Sequence, residues 1–305
     1  LNEWMGFAFG VGAIAMVFKT PNGLASLLFT PKKRGATTPQ ASLQTPRIEC
    51  QAKALQVEHL SVRFGGVHAL NNVSFCVQPG QIVGLIGPNG AGKTTLLDAI
   101  SGFTATYSGN ILVDNTDISA LNPAQRATHK LSRSFQSLEL FDDLNVEEHL
   151  RCAWEQSQTQ RLLGDLITPQ NPALPDWLIH IAQVFELHGV LHCLPRELSF
   201  GQRRLLGIAR AVAARPSVLL LDEPAAGLDS NESRELGELI QTLAHDWGMG
   251  ILLIEHDMKL VMNHCEQLVV LDFGTTIATG TPAQVQQTPA VISAYLGHEQ
   301  EPSNA

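Results

Sequence analysis

The stretch GPNGAGKTT, Gly87 to Thr95, leaves this chain few ways to fold. It sets three glycines, a lysine and two threonines between the apolar run IVGLI and the helical pattern LLDAIS, so a strand must end and a helix begin within nine residues. The spacing is G-x-x-x-x-G-K-[ST], met at Gly87, Gly92, Lys93 and Thr94. In such a turn Gly87, Pro88, Asn89, Gly90, Ala91 and Gly92 form a backbone cradle that wraps phosphate oxygens, and the helix start at Thr94 and Thr95 adds partial positive charge. Lys93 then reaches the β and γ phosphates and the Thr94 hydroxyl ligates Mg2+. The expected ligand is a nucleoside triphosphate. The loop by itself suits a kinase, a GTPase or a motor.

A second element supplies acid. In SVLLLDEP four apolar residues, Val218 to Leu221, carry Asp222 and Glu223 to a strand end. Asp222 can hold Mg2+ through water, and Glu223 beside it can polarise an attacking water as general base. The runs at 82–86, 218–221 and 251–254 are continuously apolar, as strands buried on both faces are, and ALQVEHLSVRF and LVVLDFG read as further strands. The expected fold is α/β, with a mixed, mostly parallel sheet core covered by helices. Residues 140–214 contain no such run. They read as helical, with a Pro-rich interruption at TPQNPALPDW, and predict a helical subdomain inserted between strands of the sheet.

The beginning of the chain has another character. WMGFAFGVGAIAMVF, Trp4 to Phe18, is an uncharged run of fifteen residues, shorter than the roughly 20 that cross a bilayer. Glu3 precedes it and no A-x-A-like site follows, which argues against a secretory signal. Two readings stay open: the end of a membrane helix, with Lys32, Lys33 and Arg34 facing the cytoplasm, or a buried or interfacial helix. Residues 35–53, rich in Thr, Pro and Gln, have the composition of a linker. A net charge of −9 argues against a broad nucleic-acid-binding surface, so no nucleic-acid partner is expected. Five scattered cysteines with no C-x-x-C pair fit reduced thiols rather than a zinc site.

Between the loop and the acid pair lies LSFGQRRLLGIARAVAARPS, Leu198 to Ser217. Ser199 with Gln202 three residues later is a capping box, and Leu205, Ile208, Ala209 and Val212 share one helical face. Here the chain resembles the ATPase subunits of ABC transporters, whose P-loop NTPase fold the α/β reading then takes. The resemblance implies that Ser199, Gly201 and Gln202 meet the γ-phosphate of ATP held by another subunit. It further implies that Phe64 stacks on adenine and that Gln136, in RSFQSLELF, touches Mg2+ and the attacking water. Asp229, closing Ala226-Gly227-Leu228-Asp229, would cross a dimer interface, and His256, in LLIEHDM, would contact the γ-phosphate.

The likeness spans about residues 54–297, with the helical subdomain near 137–214, a C-terminal extension near 274–297 and a tail at 298–305. LSFGQRRLLGIARA, DEPAAGLD, IEHDMKLVM and GTPAQVQQTPAVISAYLG look like the subgroup that serves branched-chain amino acid uptake. That subgroup implies a hydrolysing motor with ATP and Mg2+ as cofactors, at the cytoplasmic face of the cell membrane. Its partners would be a second ATPase domain, permease subunits and, indirectly, a substrate-binding protein. VFKTPNGLASLL resembles the cytosolic end of the partner permease, so residues 1–34 are expected to be a permease remnant whose upstream spans are missing. Alternatives are the ATPase of another transporter, for urea or amide import or for lipid or lipopolysaccharide export, and a non-transport ATPase of the same family.

Overall fold

The computed structural model describes residues 50–104, 106–155 and 174–297. The expected membrane segment 1–34, nearly all of the linker 35–53 and the tail 298–305 lie outside the described residues. Among the described residues no helix is long and apolar enough to cross a membrane.

Three five-residue strands, β3 (Ile82–Ile86), β7 (Val218–Asp222) and β8 (Gly250–Ile254), are buried at every position. They form the centre of a six-stranded sheet in the order β10-β9-β3-β8-β7-β6, where β6 is Leu131–Ser134, β9 Gln267–Asp272 and β10 Thr275–Gly280. Every pairing in it is parallel except β9 with β10. Alternate residues of one strand serve opposite faces. Ile82, Leu219, Leu221, Ile251 and Leu253 belong to one apolar core, and Val83, Leu85, Val218, Leu220 and Leu252 to the other. Both faces of the sheet are therefore covered, and an unbroken apolar run is what such a strand needs.

A separate antiparallel sheet, in the order β2-β1-β4-β5, is built from β1 (Leu55–Phe64), β2 (Val67–Val77), β4 (Tyr107–Val113) and β5 (Thr116–Asp117). Slips of register at Glu58 to Leu60 accompany left-handed backbone at His59 and Asn72, whose side chains meet at 2.8 Å. Such bulges bend the strand and interrupt its alternation. Helix α1 (Lys93–Ser101) follows β3 and ends under Arg126, a side chain 2% exposed on α2 (Pro123–Thr128). Its guanidinium donates to the carbonyls of Ala99 and Ile100 at 2.6 and 2.7 Å, groups that a helix end leaves without partners.

Between β6 and β7 the described residues include three helices, α3 (Val146–Glu155), α4 (Asp176–Val184) and α5 (Phe200–Ala213). Helix α5 starts on the reciprocal capping box, with Ser199 Oγ accepting from Gln202 N and Gln202 Oε1 from Ser199 N. Its buried face differs by one position from the sequence expectation. Leu206 and Arg204 are buried beside Ile208, Ala209 and Val212, while Leu205 is only half-buried. A charged residue holds a core position, and the reason is found in the site.

Candidate nucleotide site

Four parallel strands open at the same edge, the place where α/β sheets gather ligands. β3 runs into Gly87, β6 into Phe135 and Gln136, β7 into Glu223, and β8 into Glu255 and His256. The loop Gly87–Gly92 turns through left-handed backbone at Gly87, Gly90 and Gly92. Two of these glycines admit nothing larger: a Cβ on Gly92 would stand 2.6 Å from Ala69 O, and one on Gly87 would collide with Leu271 O. Lys93 Nζ donates to the carbonyls of Gly87 and Pro88 at 2.7 and 3.0 Å, which holds the ammonium across the mouth of the loop. Burial pushes its pKa below the ordinary lysine value, while the charges of Glu223 and Asp222 act in the opposite sense.

Glu223 has φ 47, a conformation costing about 1–2 kcal/mol for a residue with a side chain. Neighbours hold it there. Glu223 N donates to Ile254 O at 2.9 Å, and Glu223 O accepts from Arg204 at 2.6 Å. The bend aims the carboxylate along the strand ends: Oε2 accepts from Gln136 Nε2 at 2.6 Å, and Oε1 lies 2.8 Å from His256 Nε2. Gln136, expected at the attacking water, and His256, expected at the γ-phosphate, thus both touch the carboxylate of Glu223. Arg204 also donates to Gln136 O at 2.7 Å, so one buried guanidinium fixes the backbone on both sides of the acid. Glu255, 4% exposed, accepts from Ala225 N at 2.6 Å and His256 N at 3.1 Å. Burial raises its pKa and those N–H groups lower it. Neither Arg204 nor Glu255 announces itself in sequence, because each acts on backbone far away in the chain.

A cavity of about 400 Å3 is lined by Asn89 to Thr95, Glu223 and His256, together with Val67, His68, Ala69, Phe273 and Gly274. The last five were not foreseen. Phe64, 57% exposed, is absent from this lining, but its cross-strand partner Val67 is present, across the turn Gly65-Gly66. Gly87, Pro88, Gln136 and Asp222 are absent from it too, though each is joined or hydrogen-bonded to a residue that lines it, and so are four further expected residues, Ser199, Gly201, Gln202 and Asp229. These four lie together elsewhere: a Cβ on Gly227 would meet the Phe200 ring at 2.9 Å, and one on Gly201 would meet Glu232 Oε1 at 2.9 Å. Asp229 serves as the N-cap of α6 (Ser230–Gln241), accepting from Asn231 N and Glu232 N at 2.8 and 2.9 Å. The residues fit a metal–triphosphate: a loop open to backbone approach, one lysine, one threonine at the helix start, and two carboxylates at the facing strand end.

Comparison with known proteins bears on the family and the fold. The family model described as ABC transporter matches residues 70–226, and that described as branched-chain amino acid ATP-binding cassette transporter matches 275–301. The high-affinity branched-chain amino acid transport ATP-binding protein LivG of Escherichia coli (strain K12) is 42% identical over 248 residues, covering 80% of this chain and 97% of LivG. BraF of Pseudomonas aeruginosa, described in the same words, is 39% identical over 249 residues, covering 80% and 97%. Among solved structures, the ADP conformation of MJ1267, an ATP-binding cassette of an ABC transporter, superposes with a TM-score of 0.69 at 29% identity, covering 81% of this chain and all of that one.

Proposed function

This chain belongs to the ABC transporter family, as an ATP-binding subunit of the branched-chain amino acid type, and on that premise we propose how its residues divide the work. It binds and hydrolyses ATP to power membrane import of branched-chain or related amino acids, paired with a second cassette and with permease subunits. The observation that carries the division of roles is the meeting of Gln136, Glu223 and His256 at the sheet edge that also bears the phosphate loop. Lys93 and the loop from Gly87 to Thr95 bind the phosphates. Thr94, Asp222 and Gln136 would hold Mg2+, which when bound neutralises phosphate charge and orients the γ-phosphoryl group. Glu223 accepts the proton of the attacking water, and His256 and Gln136 orient its carboxylate. Phe64 and Val67 offer adenine an apolar surface.

Ser199, Gly201 and Gln202 form the capped start of α5, and we assign them to a partner's nucleotide. The N-terminus of α5 would present its N–H groups and the Ser199 hydroxyl to the γ-phosphate held by the other subunit. ATP then closes the pair and hydrolysis reopens it, moving the helices between β6 and β7. The permease would dock in the groove of about 650 Å3 beside them, where Phe103 and Phe141 are exposed next to Phe135 and Arg210. A substrate-binding protein would deliver the cargo to that permease.

Mixing two defective chains tests the shared site. Lys93→Ala disables the loop, while Ser199→Asp keeps a good N-cap but sets a negative charge before the γ-phosphate. A mixed dimer retains one intact site, so the mixture hydrolyses ATP although neither variant does alone. No recovery on mixing places the whole site within one chain.

A further inference from the structure

Arg133 opens the stretch RSFQSLELF that carries Gln136, and it is a buried cation to which that motif gives no role. It lies on β6, one residue before the strand ends, with its side chain 7% exposed. One arm donates to Asp98 Oδ1 at 2.6 Å and to Ser101 Oγ at 3.1 Å, both on α1, the helix that begins with Lys93 and Thr94. The other arm donates to Asp222 Oδ2 at 2.9 Å, at the end of β7. The guanidinium carbon lies 4.8 Å from the centre of the Phe135 ring, which itself meets Phe103 edge-on at 5.6 Å. The plane of the fork is therefore fixed by an aromatic face as well as by two carboxylates.

We propose that Arg133 is a positioning residue for the metal-bound nucleotide, acting through Asp222: by occupying Oδ2 and bracing on the helix that carries Thr94, it fixes the one carboxylate oxygen left for the metal side. The inference rests on the reading of Asp222 as a metal-side carboxylate. A carboxylate with one oxygen held in a buried ion pair cannot turn about its last torsion without breaking that pair. The bond from Arg133 therefore sets where Oδ1 stands relative to Thr94 Oγ1. Lysine cannot do the same, because a point charge on a flexible stem does not address Asp98 and Asp222 in one plane.

The full chain is loaded with a non-hydrolysable ATP analogue, and Mn2+ binding is followed by electron paramagnetic resonance. Analogue affinity is measured separately in EDTA. Arg133→Gln is expected to weaken Mn2+ about tenfold or more, the usual effect of losing a partner of a metal ligand, and to leave analogue affinity in EDTA unchanged. Arg133→Lys should fall between Arg133→Gln and the parent. If Arg133→Gln does not fold, Arg133→Lys, which keeps the buried charge, carries the same comparison. Parental Mn2+ affinity in the Arg133 variants overturns the proposal, and so does an equal loss of analogue affinity without metal. Asp222→Asn separates the two levels: if it too keeps parental Mn2+ affinity, the reading of Asp222 itself falls.

Discussion

Replacing Glu223 with glutamine removes one negative charge and almost nothing else. The amide oxygen can still accept from Gln136 Nε2, and the new NH2 can donate to His256 Nε2 when that nitrogen is unprotonated, so both contacts at 2.6 and 2.8 Å survive. Trading charge-assisted for neutral hydrogen bonds costs about 1–2 kcal/mol of stability across the two. The backbone anchors to Ile254 and Arg204 are untouched. The chemical step is another matter. A general base contributes roughly 10²–10⁴ in rate, or about 2.7–5.4 kcal/mol at 1.36 kcal/mol per tenfold. Phosphate release should fall by that factor, while ATP binding is kept or tightened by loss of a carboxylate beside the phosphates. Size-exclusion chromatography with ATP should find the variant as a stable dimer. Turnover at the parental rate would remove Glu223 from the role of base.

Lys93→Ala should lose nucleotide binding by about two orders of magnitude, the worth of one or two charge-assisted hydrogen bonds, and a titration with fluorescent ATP that finds parental affinity would remove the loop from phosphate binding. Arg204→Met should destabilise by about 2–4 kcal/mol in urea unfolding, because the carbonyls of Gln136 and Glu223 lose a buried charged donor. Parental stability would contradict the anchoring of the acid's backbone. His149, fully buried, accepts from Phe141 N at 3.0 Å through Nε2 and pairs through Nδ1 with Asn145 O at 2.8 Å. Burial, first, and Arg210 hold its pKa below 6.5, against the Asn145 carbonyl and Glu148. The unfolded chain then binds more protons than the folded one, so stability is present above 6.5 and declines as pH falls through the depressed value. Thermal unfolding between about pH 7 and pH 5 should register this decline, and His149→Gln should flatten it.

The elements legible in the sequence are those whose cause is local. GPNGAGKTT carries its own glycines and cation, Ser199 and Gln202 cap one helix between them, and β3, β7 and β8 are apolar throughout because both faces are covered. β6 is not legible: LSRS has three polar residues of four, and it sits in a buried sheet because Arg133 finds Asp98 and Asp222, residues 35 and 89 positions away. In the antiparallel sheet β1 is legible as ALQVEHLSVRF in spite of the bulge at His59, whereas β2 is not, since left-handed Asn72 breaks the period of two on which a strand is recognised. Arg204 looks like one more polar residue of a helix. Only folding brings its guanidinium under Gln136 and Glu223, and the same holds for Glu255 beneath Ala225. Val67 and Phe273 reach the cavity from the turns of two hairpins, which no spacing along the chain reveals.

Under the proposed roles, hydrolysis at Glu223 drives import of branched-chain amino acids, and transport itself is the direct test. With the chain and its permease in sealed vesicles, ATP on the cassette side and the binding protein with labelled leucine on the other, uptake can be followed directly. Leucine should cross toward the cassette side with the parental chain and not with Glu223→Gln. Sustained leucine transport by the Glu223→Gln vesicles, or transport of urea with leucine left behind, would contradict it.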